Sequence, residues 1–147
     1  MYRDILLVIH ITSVAAWLGC NLTQLFLGPW FARQSGAVAA AWYEATAHLA
    51  SRYYNVAGTL LAVSGVLLVR ESGYSWSAGF VAVGITVVVI GGVLGVLFFA
   101  PTGRKLAAAE REGTSPAALV RRYALVACID TVFVLTAVLA MVKRWRA

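Results

Sequence analysis

DILLVIHITSVAAWLGCNLTQLFLGPWFAR, residues Asp4–Arg33, decides how the rest of the chain is read. At about 100° per residue of helix, His10, Ser13, Trp17, Cys20, Asn21, Gln24 and Gly28 fall inside an arc of about 100°. The rest of that surface is Ile, Leu, Val, Ala and Phe, apart from Thr12, Thr23 and Gly19. A helix facing lipid does not hold His, Asn and Gln on its outer side cheaply, so this stripe faces protein or water. The run is long enough to cross a bilayer, and the chain reads as a polytopic membrane protein with a polar seam inside it.

Composition agrees. Hydrophobic residues make up 61% of the 147 and charged residues 12%, with a mean hydropathy of +0.82, outside the range of soluble domains. The net charge of +6 is therefore not a nucleic-acid signal, because the Lys and Arg border apolar runs, where topology determinants and headgroup contacts sit. Cys20 and Cys128 lie within apolar runs without CxxC spacing and read as free thiols. MYRD is barely basic and no A-x-A pattern follows the first run, so that run reads as an uncleaved span.

The expected fold is all-α, a bundle of four transmembrane helices in one domain covering 1–147. The spans are placed at about 4–26, 53–69, 78–100 and 123–142. Gly28-Pro29 is expected to break the first helix, with Trp30 at the interface. Residues 36–52 read as an amphipathic interfacial helix or as an extension of the second span. A tight turn, ESGYSWS, follows that span. The third span has no ionisable residue, and its Gly91-xxx-Gly95 pair suits close helix packing. Pro101 is expected to end it. Residues 101–120 then form a hydrophilic loop with a short helix over Leu106–Glu112, and Ser115-Pro116 opens the fourth helix. Four spans put both termini and Arg70 on one side, with Arg3, Lys143, Arg144 and Arg146. The other side holds Arg33, Arg52, Arg104, Lys105, Arg111, Arg121 and Arg122, which favours cytoplasmic long loops.

Asp130 lies about eight residues inside the fourth span, roughly 12 Å deep at about 1.5 Å per residue. A carboxylate there costs about 2.5–3.5 kcal/mol on the insertion scale, so it is protonated, paired or hydrated. In an antiparallel register, Asn21 comes level with Asp130, and His10 with Met141. Asn55 and Thr59, with Ser51 and His48 on the same line, enter from the loop side and place Asn55 near that depth. The seam thus has an Asn21/Asn55/Asp130 station, with Gln24 beside it, and a His10 station. The first reads either as a hydrogen-bonded cluster that specifies packing or as a protonatable or ion-binding site. His10 reads as a satisfied core residue or as an axial haem or metal ligand, with Met141 as second candidate; His48 enters from the opposite side and is too distant in depth.

LLVIHITSVAAWLG, with His10 early in the first of four spans and Trp17 and Gly19 after it, resembles bacterial membrane proteins related to copper-resistance protein D. It is similar also to the haem-containing four-helix protoporphyrinogen oxidases. In length and in RYYNVAGTLLAVSGVLLV, residues 52–69, the chain resembles a family of integral membrane proteins without assigned function. The resemblance implies a bacterial inner-membrane protein with haem b at His10. In the oxidase type that His is accompanied by an essential intramembrane Lys, which this chain does not have.

Three functions follow as expectations. One is a haem b-binding or redox-associated protein using His10, Met141 and Trp17. Another is a small copper or proton/ion conduit centred on Asp130 and Asn21. The third is a non-catalytic accessory subunit that docks a membrane-protein partner, or a second copy, through the Gly91/Gly95 face. No glycine-rich nucleotide loop, Ser/His/Asp set or paired carboxylate points to a soluble-type enzyme, and the expected partner common to all three is the lipid bilayer.

Overall fold

The computed structural model describes residues 1–34, 36–114 and 116–143. The fold is an all-α four-helix bundle, and each of its four helices is long and apolar enough to cross a membrane. Helix α1 is Tyr2–Phe31. The second long helix, Ala37–Glu71, consists of α2 (Ala37–His48), a π-helical turn over Leu49–Tyr53, and α3 (Tyr54–Glu71). The third, Gly79–Arg111, is built the same way from α4 (Gly79–Leu94), a π-helical turn over Gly95–Phe99, and α5 (Ala100–Arg111). Helix α6 is Ala117–Lys143.

Two helix ends differ from the sequence expectation. Pro29 does not break α1, which runs on to Phe31. A proline this near a C-terminus costs little, and the added turn is held by Phe31 stacked on Trp42, centroids 4.4 Å apart. Nor does Pro101 end the third span. Its missing N–H and its ring would disturb the preceding turn of a plain α-helix. The π-helical turn over Gly95–Phe99 shifts the pairing just before it, and the helix continues to Arg111. Residues 101–111 are thus helix, longer than the short helix expected over Leu106–Glu112, and α6 starts at Ala117, next to the Ser115-Pro116 pair expected to open it. Pro116 contributes its carbonyl to the first turn, accepting from the N–H of Leu119 at 2.8 Å. Ser115, expected as the cap, and Arg144 and Arg146 lie outside the described residues.

The 36–52 segment is an extension of the second span, continuous with it through the π-helical turn. A hydrocarbon core about 30 Å thick takes about 20 helical residues. Helices of 35 and 33 residues therefore overrun it by more than ten each. The overruns, α2 and α5, pack along one another. Gly103 permits this closeness: a Cβ there would stand 3.0 Å from the Tyr43 carbonyl oxygen and 3.0 Å from the Ala47 methyl. Tyr43, Leu106, Ala39, Ala107 and Tyr123 form the apolar core at this end. Toward the lipid side the surface is Val8, Ile11, Phe26, Val63, Val89 and Val132, as a bilayer solvent requires.

Within the bundle, α1 packs on α3 and on α6, and α4 packs on α6 and on α3, closing a ring in the order α1, α3, α4, α6. The polar stripe of α1 therefore meets two neighbours. Gly91 and Gly95 pack against Trp17 and the Ala50 carbonyl. Gly92, beside them, is exposed.

Candidate functional site: the Asp130 seam

Asn21 is on α1 and Asp130 on α6, and their side chains meet: Asn21 Nδ2 donates to Asp130 Oδ2 at 2.9 Å. Both are buried, 7% and 5% exposed. Eleven-residue spacings on two antiparallel helices put them level, and the stripe geometry turns both inward. Tyr54, in the first turn of α3, donates its hydroxyl to Asn21 Oδ1. Gln24 Nε2 in turn donates to Tyr54 Oη at 2.8 Å. The result is a one-way chain, Gln24 to Tyr54 to Asn21 to Asp130, in which every donor points toward the carboxyl.

That direction has a chemical consequence. An amide N–H does not hand on a proton without passing through an unstable tautomer, so Asn21 is a clamp on Oδ2 and not a wire to it. Exchange at the carboxyl belongs to Oδ1. The ion pairs of the described residues join the N-terminal ammonium to Asp4 and Arg111 to Glu44, and neither reaches Asp130. A buried carboxyl with amide help and no cation is expensive to keep as an anion in a bilayer.

Trp17 lies across the seam. Its indole is wedged between α3 and α4, where a Cβ on Gly58 would be 3.0 Å from Cζ3 and a Cβ on Gly91 would be 2.5 Å from Cζ2. It also stands edge-on to Tyr54, centroids 5.6 Å apart. Trp17 is 4% exposed, and its buried indole N–H faces the Asp130 carboxyl as a weak hydrogen-bonding partner. The same Gly91 Cβ position is 3.4 Å from Asp130 Oδ1, so indole edge and carboxyl oxygen converge there.

Two spaces adjoin this pair. A small cavity of about 30 Å³ is lined by Asp130, Asn21, Gln24, Tyr54, Thr46 and Thr131 among others, large enough for about two waters. A groove of about 270 Å³ runs between α3 and α4, past Asn55 and Thr59 to Gly92 and Val88. Trp17, Tyr54, Ala50, Gly91 and Gly95 line both. Ala50 and Gly95 come from the two π-helical turns, a form of helix frequent at functional sites.

Asn55 is not in the Asp130 cluster, where the sequence placed it. It is exposed, and its Nδ2 donates to the Ser51 carbonyl at 2.7 Å. The π-helical turn just upstream adds a residue to the helical repeat, which rotates the following positions by about 100° against those before it. Tyr54 points into the seam in its stead. Read as a plain helix the sequence gives no signal for this, since Tyr53 and Tyr54 both look like interfacial aromatics. Gln24 joins the cluster through Tyr54.

His10 is half-buried and packs on α3: its Nδ1 lies 3.1 Å from Ser64 Oγ, and a Cβ on Gly65 would be 3.2 Å from Cε1. Ser64 has one proton and gives it to the Leu60 carbonyl at 2.6 Å. The Leu61 carbonyl is a further acceptor for Ser64, at 3.2 Å, and the donor between His10 Nδ1 and Ser64 Oγ is set by the imidazole tautomer. Met141 packs on α4, its methyl 2.6 Å from where a Gly84 Cβ would stand. Neither residue lines the two spaces above. His48 is exposed on the loop side. Among the described residues no three His, Cys, Asp or Glu side chains come together as a metal-binding group. Compared with family models, curated proteins and solved structures, the chain finds no match in any of the three.

Proposed function

We propose that this is a multi-pass protein of the bacterial inner membrane that conducts protons or couples to their movement, with Asp130 as the group that takes up and releases a proton inside the bilayer. The observation that carries the reading is a buried carboxyl, clamped at Oδ2 by Asn21, with no cationic partner among the described residues and lining a water-sized cavity. A packing cluster needs amides and hydroxyls only; a carboxyl adds a group that exchanges protons. Copper as cargo has weaker support, because the donor set beside Asp130 is amide and phenol rather than thiolate or imidazole. In proteoliposomes carrying a pH gradient, the wild-type protein is expected to dissipate the gradient faster than protein-free vesicles. Asp130→Asn, which keeps the shape and the Asn21 contact, is expected to return the rate to that of the empty vesicles. An undiminished rate in that variant refutes the reading.

A second reading has its own observation. His10 Nδ1 is held against Ser64 Oγ at 3.1 Å, and in the tautomer protonated at Nδ1 the imidazole would offer Nε2 to a ligand. His10 is the residue that would hold haem b, with Met141 as the second candidate, and the group would supply electron-transfer chemistry there. The expectation is a b-type optical spectrum in protein from a haem-replete host, abolished by His10→Ala, shifted by Met141→Ala and unchanged by His48→Ala. A colourless preparation after haem supplementation leaves His10 as a packing residue.

A further inference from the structure

Arg52 is exposed on the second long helix, two residues before Tyr54, whose hydroxyl meets Asn21 at the level of Asp130. At about 1.5 Å per residue it stands only about 3 Å from that level. Lipid-facing Phe26 and Leu97 carry the apolar surface further toward the loop side. The Arg52 stem therefore starts below the edge of the hydrocarbon, and its guanidinium reaches up toward the headgroups. The ion pairs of the described residues do not include it. A basic side chain at this depth, without a counter-ion from the protein, draws one from the lipid headgroups.

The residues that follow on this side of α3 change character step by step. Asn55 and Thr59 are exposed and polar, and Ala62 and Val63 are apolar. All four line the groove of about 270 Å³ between α3 and α4, whose other wall includes Val88, Gly92 and Gly95. A cation near the membrane surface, then two polar groups, then an apolar trough follow the order of phosphate, ester and acyl chain in a phospholipid. Size points the same way. A single turn of helix, about 10 Å across and about 5.4 Å long, fills about 420 Å³. The groove holds less than that, so it suits a hydrocarbon chain and not a partner's helix.

We infer that the α3/α4 groove is a binding site for an anionic phospholipid of the loop-side leaflet, its phosphate at Arg52 and one acyl chain between the two helices. Binding here is independent of proton exchange at Asp130. The chain closes the thin wall between the lipid and Trp17, which lies at the back of the groove.

The test uses full-length protein with Trp17 as the sole tryptophan, the other four replaced by Phe, in phosphatidylcholine vesicles. The probes are phosphatidylglycerol and phosphatidylcholine carrying the same dibrominated acyl chains, whose bromines quench an indole they touch. Half-maximal quenching is expected at a mole fraction about fivefold lower for phosphatidylglycerol, the preference that one basic side chain gives for an anionic lipid. Arg52→Gln is expected to bring the two lipids level, and Arg121→Gln, on α6, is expected to leave the preference intact. Gly92→Leu, where a Cβ meets nothing within 4 Å, fills the groove without straining the helix and is expected to remove the strong quenching by phosphatidylglycerol. Equal quenching by the two lipids in the parent protein overturns the inference and leaves Arg52 to a carboxylate on a partner protein. A preference lost as fully in Arg121→Gln as in Arg52→Gln overturns Arg52 as the headgroup site, because the summed charge of the loop side then collects the lipid. Quenching by phosphatidylglycerol that survives Gly92→Leu unchanged overturns the groove as the place of the chain.

Discussion

Trp17→Ala is expected to lower the stability of the folded bundle by about 3–5 kcal/mol, the range for deleting a large buried aromatic. The indole touches α3 at Gly58, α4 at Gly91 and the Tyr54 ring, so its removal opens a hole where three helices meet. Glycines on both sides leave nothing to relax into that space, which puts the site at the costly end of the range. The converse change should show the same contact from the other side. Gly91→Ala drives a methyl to 2.5 Å from Cζ2, and overpacking of this kind costs about 1–3 kcal/mol. Combining Gly91→Ala with Trp17→Leu is expected to cost less than the sum of the two, because the smaller side chain makes room for the methyl. Thermal unfolding in detergent, read on all four proteins, checks this. Strict additivity means that Trp17 and Gly91 do not touch in the folded protein.

Asn21→Leu is the second large effect. It strips Asp130 of the amide that holds Oδ2, leaving a buried carboxyl oxygen with an apolar neighbour, at a cost of about 1–3 kcal/mol. It also strands the Tyr54 hydroxyl, which donates to Asn21. Asp130→Leu alone strands only the Asn21 amide. The double replacement removes donor and acceptor together and is expected to recover much of the loss, as apolar replacement of a buried polar pair is often neutral. The coupling is measured as the difference between the double variant and the sum of the single ones. Hydrogen bonds between membrane helices are often worth less than about 1 kcal/mol, so a coupling above that marks the pair as unusually well shielded. A coupling near zero would mean that Asn21 does not hold the carboxyl. Proton flux separates structure from function here: an Asn21→Leu protein that folds keeps Asp130 and is expected to keep flux, whereas the double variant loses it.

What the sequence by itself determined is the class and the polar pair at its centre. Four apolar runs of membrane length admit few folds, because lipid leaves backbone groups no partner outside a helix. The stripe on the first run and the lone carboxylate in the fourth had to face inward, and equal spacings along antiparallel helices put Asn21 and Asp130 on one level. Tertiary structure decided the rest. Whether a proline ends a helix depends on what its neighbours can absorb, and the π-helical turn over Gly95–Phe99, visible in no hydropathy pattern, precedes the proline past which the third helix continues. The turn before α3 also set its phase, bringing Tyr54 into the seam and turning Asn55 out. The glycines of the third span read as a face for close helix packing, without saying against what. Only packing shows them filled by Trp17 and Met141, since a glycine specifies that something comes close without specifying what.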